Sequence, residues 1–179
     1  MATRVKSRAT ALVIGLSCLV AACAPASSGQ APTPRTTPQA SFSTQISSGV
    51  AVVRRALADV GVRVDPPIVP YRPAEPPGIA TVPRAVLQAG IGDPRAGYVM
   101  IYEFADADTA STRGAEFAEY LESGFGQTNY PLDAQFSLAQ LGGTLILSWW
   151  SSELAADREL ARTAFDAISS VGVRIPIVG

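Results

Sequence analysis

The chain has 179 residues, a formal charge of −1 from 14 basic and 15 acidic side chains, and 47% hydrophobic residues, enough for one domain with a real core. It has no histidine, which excludes Ser-His-Asp and Cys-His nucleophiles and the zinc, copper and haem sites that use imidazole. A balanced, slightly acidic inventory also argues against nucleic acid as a partner.

The N-terminus comes first. Arg4, Lys6 and Arg8 precede an uncharged run from Ala9 to Ala22, the pattern of an export signal. A membrane-spanning helix needs roughly 20 apolar residues, and this run is shorter. The run closes with Leu19-Val20-Ala21-Ala22-Cys23, which resembles the lipobox of bacterial lipoproteins. That resemblance implies a diacylglyceryl group on the Cys23 thiol, then removal of residues 1–22 by cleavage between Ala22 and Cys23, then acylation of the new Cys23 amine with a fatty acid such as palmitate. An ordinary signal peptide cut after Ala22 is the alternative.

The lipoprotein reading places the protein in the cell envelope, on the extracytoplasmic side, with the membrane as its first partner. One acyl chain anchors only marginally, whereas two or three hold stably. Cys18 and Lys6, the one lysine, would leave with the signal. The exported chain would then have no free thiol and no amine side chain, which removes Ser-Lys dyads, Schiff-base lysines and disulfides. Carboxylate chemistry and oxygen-ligated Ca²⁺ or Mg²⁺ survive, and no motif calls for a cofactor.

Residues 23–41 follow as the modified cysteine and a Pro/Ser/Thr tether, with Pro25, Pro32, Pro34 and Pro38 and little to bury. Residues 42–179 form the expected single domain. Ile46, Val50, Val53, Leu57 and Val60 repeat as one helical stripe, Gly61 ends it, and Val62-Arg63-Val64 reads as a short strand. Ala161, Ala164, Ile168 and Val171, then Gly172 and Val173-Arg174-Ile175, repeat that pattern, and the shared Val-Gly-Val-Arg raises an internal duplication.

Six prolines between Pro66 and Pro77 read either as an extended connector, with Ile68, Val69 and Tyr71 pinned to the domain, or as a polyproline ligand. Arg84 to Ala89 and Gly97 to Phe104 are strands joined across Gly92-Asp93-Pro94-Arg95, followed by a helix over 108–123. Strands over 135–140 and 144–150 then flank Gly142-Gly143, a helix runs from about Glu153 to Ser170, and a candidate tail strand breaks at Pro176. The order α-β-(ββα)-(ββα) predicts an α+β fold: an antiparallel sheet of four to five strands with about three helices. Gly97 to Asp106 running into an Ala-rich helix is similar to a motif of small envelope lipoproteins, over residues 43–172 in element order; that resemblance implies a fold and a location and no activity.

Of the candidate sites, Asp106 and Asp108 read as helix capping rather than a cation loop, which would need Gly and Glu where Ser111 and Phe117 stand. Glu116, Glu119 and Glu122 share one solvated helix face. Strand alternation puts Tyr98, Met100, Tyr102 and Phe104 on one face and Val99 and Ile101 on the other; Trp149 and Trp150 also oppose one another. Either the first helix and the proline segment together cover the second face, or Tyr98, Tyr102 and Trp150 build an apolar binding surface. The expected function is a non-enzymatic envelope module that binds a small apolar ligand or an envelope protein, or serves structurally. The alternative is a glycosidase-like hydrolase using carboxylates alone, which needs two acids from different elements converging on one cleft.

Overall fold

The computed structural model describes residues 42–91, 93 and 95–177. The signal segment 1–22, the cleavage pair Ala22 and Cys23, and the tether up to residue 41 lie outside the described residues.

The first helix, α1 (Thr44–Ala58), begins where the Ser43 hydroxyl accepts the Ile46 amide at 3.1 Å, a cap for one of the helix's unpaired amides. That serine also donates to Glu103, tying the helix start to the sheet. Gly61, at φ 76°, turns the chain out of the helix into β1 (Val64–Asp65). A proline-rich strap, residues 66–83, leads to β2 (Arg84–Ala89) and β3 (Gly97–Glu103). Then come α2 (Ala107–Glu122), the one-turn α3 (Gly124–Gln127), β4 (Gln135–Leu141), β5 (Thr144–Trp150), α4 (Arg158–Ser169) and β6 (Val173–Ile175).

The fold is α+β, as its element order predicts, and every strand pairing is antiparallel. The sheet has six strands in the order β1-β2-β3-β5-β4-β6, slightly more than expected because both short segments after a helix, β1 and β6, join as edges. At the centre, β3 and β5 pair from Gly97 opposite Trp150 to Glu103 opposite Thr144, and nearly every residue of both is buried.

Burial on both faces follows from cover on both faces. On one, Val99, Ile101, Ile146 and Trp150 meet Val50, Val53 and Leu57 of α1 and Ala161, Ala164 and Ile168 of α4. On the other, Met100, Tyr102, Leu145 and Leu147 meet Ala110, Phe117 and Leu121 of α2, together with Ala74 and Ile79 of the strap. The expectation that the first helix and the proline segment together cover the second face is corrected: each packs on a different face, because the strap crosses on the side of α2. The two helix-Gly-strand units also share one face while sending β1 and β6 to opposite edges.

Two elements differ in extent from their sequence reading. The short strand is Val64–Asp65 rather than 62–64. The last helix starts at Arg158 rather than near Glu153, because Asp157 caps it by accepting the Leu160 amide at 2.9 Å. The residues before that cap are held elsewhere: the Ser151 and Ser152 hydroxyls and the Glu153 amide all donate to the Asp133 carboxylate.

Candidate functional site

The strap places two exposed aliphatic side chains, Ile68 and Val69, beside a concavity. Its backbone is tied to the domain at several points: the Ile68 amide donates to the Gln88 side-chain oxygen of β2 at 3.2 Å, and the Ala74 and Pro83 carbonyls accept from the Tyr130 hydroxyl and the Glu103 amide. Prolines keep it from forming a strand, so its side chains do not alternate into the sheet. Tyr71 turns inward and stacks on Tyr98 of β3, with ring centroids 3.9 Å apart and planes 15° apart. The Trp149 indole N–H donates to the Tyr71 hydroxyl at 3.0 Å. Tyr130 then meets Trp149 edge-on at 5.6 Å and Phe136 at 4.7 Å. Five rings in such contact form a stiff wall, since each stacked or T-shaped pair adds about 0.5–1.5 kcal/mol beyond its buried area.

Outside that wall lies an open groove of about 480 Å³ lined by Ile68, Val69, Pro70, Tyr71, Gln88, Asp93, Arg95 and Tyr98. Ile68 is 82% exposed and Val69 69%, so the sequence-based expectation that both are pinned to the domain is corrected. Tyr71 alone of the three docks, because only its ring finds aromatic partners.

The groove's rim is polar. Asp93 accepts the Arg95 amide at 2.7 Å, and the Arg95 guanidinium returns to the same carboxylate at 3.2 Å. Those hydrogen bonds from Arg95 hold the Asp93 carboxyl below its ordinary range. Burial pushes the Tyr71 and Tyr98 hydroxyls up, so both stay neutral and the floor presents no charge. Asp93 is the one acid among the described residues lining this groove.

The proposed surface of Tyr98, Tyr102 and Trp150 is not assembled. All three are buried: Tyr98 is 7% exposed, Tyr102 0% and Trp150 9%. Tyr102 lies under α2 with Phe117 against its ring, and Trp150 lies on the opposite face beside Phe165 of α4. The register decides this: Tyr98 pairs with Trp149, so Trp150 must point the other way. Tyr98 alone lines a groove that Tyr102 and Trp150 do not reach. The partners sequence reasoning missed are Tyr71 and Trp149; Tyr71 gave a signal, being the single aromatic residue in the strap.

Asp106 caps α2, its carboxylate accepting the Thr109 amide at 2.7 Å. Glu116, Glu119 and Glu122 lie exposed along α2, with Glu116 paired to Arg113. Compared with protein-family models, curated proteins and solved structures, the chain matches none.

Proposed function

We propose that the protein is a lipid-anchored envelope lipoprotein, attached through Cys23, whose folded domain is a non-enzymatic module that binds a small apolar ligand in the strap groove. The observation that carries the binding reading is the groove itself: about 480 Å³, within the range of small-molecule sites, with neutral aromatic residues behind it and two exposed aliphatic side chains along it. Ile68 and Val69 give the groove adjacent aliphatic side chains against which an apolar molecule can pack. The Arg95–Asp93 pair at the rim gives a bound molecule's polar end a place to face water.

The anchor reading rests on Val20-Ala21-Ala22-Cys23 after a basic, then apolar, N-terminus. Lipidation there would hold the domain on the extracytoplasmic side of the membrane, where an apolar ligand can be taken from or delivered to the bilayer. Two experiments test the halves separately. Metabolic palmitate labelling is expected to mark the wild-type chain and to vanish in Cys23→Ser; unchanged labelling would refute the anchor. Titration of the full chain with N-phenyl-1-naphthylamine, a neutral apolar fluorophore, is expected to saturate at one site with micromolar affinity. Absence of saturable enhancement would refute the groove.

A further inference from the structure

Under the strap lies a carboxyl group that the groove does not use. Glu75 sits on the strap with its side chain 2% exposed. From β2, the Arg84 Nη1 approaches its Oε1 to 3.2 Å, but the same nitrogen donates to the Ala80 carbonyl at 3.2 Å. The buried Tyr102 hydroxyl on β3 interacts with this carboxyl, but neither Glu75 oxygen accepts a well-aligned hydrogen bond among the described residues. The other ionisable groups that act on this carboxyl or on Tyr102 are Arg72 and Tyr71 of the strap and Tyr130 ahead of β4. From α2, the Arg113–Glu116 pair lies against Gly78, farther along the strap.

An ionised carboxylate in such a place has lost its water and found one poorly aligned cation in exchange; a neutral carboxyl avoids that penalty. We propose that Glu75 is a pH-sensitive latch: neutral, it holds the strap down on Tyr102 and the sheet, and ionised, it loosens the strap that carries Ile68, Val69 and Tyr71. The consequence for ligand binding rests on the groove reading above; the latch itself does not. Burial raises the Glu75 carboxyl, and the Tyr102 hydroxyl and the charges of Arg84 and Arg72 pull it only partly back. A docked strap therefore holds the proton more tightly than a released one. Docking is firmest below the ordinary glutamate value of about 4.3 and weakens as pH rises toward the elevated value, by up to about tenfold per pH unit.

Hydrogen exchange on the full chain reads this directly, because strap opening breaks the bond from the Ile68 amide to Gln88 and uncovers the amides of Ile79, Ala80 and Val82. Their protection, corrected for intrinsic exchange, is expected to fall as pH rises from 4 to 7 in the wild type. In Glu75→Gln it is expected to stay level at the acid value. Protection that is flat or rising with pH in the wild type, or an equal slope in the variant, would overturn the latch. Should Glu75→Gln fail to fold, the wild-type Glu75 carboxyl carbon followed by NMR decides: a midpoint above about 4.3 supports the latch and one at or below it does not. A strap that titrates in a protein that binds no fluorophore removes the groove and leaves the latch; saturable binding with a strap that does not titrate removes the latch alone.

Discussion

Asp133 draws together three groups from one turn: the Ser151 hydroxyl at 2.7 Å, the Ser152 hydroxyl at 2.9 Å and the Glu153 amide at 2.9 Å. Burial alone would raise its pKa, but these hydrogen bonds outweigh it and hold the carboxyl down to about 2. A depressed carboxyl stabilises the fold above its ordinary value of about 3.9 and loses that contribution as pH falls from there toward 2. Asp133→Asn should therefore flatten the acid limb of a thermal-melting profile between those values. Asp133→Ala should cost about 2 kcal/mol at neutral pH in urea denaturation, because the fully buried Ser151 hydroxyl loses its acceptor. Side-chain roles of this kind were the least legible part of the sequence. Asp133 stands 18 residues before Ser151, and only the fold brings the two together. Tyr98, by contrast, could be placed on its correct face by alternation alone, while Trp149 was missed as its neighbour because alternation within a strand carries no cross-strand register.

Elements with strong periodicity were legible nearly to the residue. The α1 stripe is buried at Ile46, Val50, Val53 and Leu57, and α2 buries Ala110, Gly114, Phe117 and Leu121 as its spacing requires. The boundary of α4 was not, because apolar spacing cannot show that the residues ahead of Arg158 bond to Asp133 instead. The strap was legible as an extended connector, but not which of its side chains dock, because proline removes the periodicity on which such readings depend. The two helix-ending glycines give an element-scale prediction. Gly61 and Gly172 both hold left-handed backbone, at φ 76° and 80°. A Cβ at Gly61 meets nothing, whereas one at Gly172 runs into the Gln140 carbonyl of β4. In urea denaturation, Gly61→Ala should cost about 1 kcal/mol from backbone strain alone. Gly172→Ala should cost about 3 kcal/mol, since strain and collision add. Equal costs would refute the close approach of β6 to β4.

At the scale of the molecule, a sheet covered on both faces explains why β3 and β5 are apolar throughout. Helices alone do not complete the second face; the strap closes it with Ala74 and Ile79 beside α2. Phe117, fully buried against Tyr102, is the centre of that layer, and Phe117→Ala should lower stability by about 3–5 kcal/mol. The same strap that seals the core with one side offers Ile68 and Val69 to solvent with the other. That division allows the groove to be altered without disturbing the fold. The most direct test of the binding account is therefore to titrate N-phenyl-1-naphthylamine into the wild-type chain and into Ile68→Asp and Val69→Asp, with thermal melting as a control. Each variant should keep the wild-type melting temperature within a few degrees and lose at least about tenfold in affinity, the equivalent of about 1.4 kcal/mol. Undiminished binding in both variants would contradict the groove as the site.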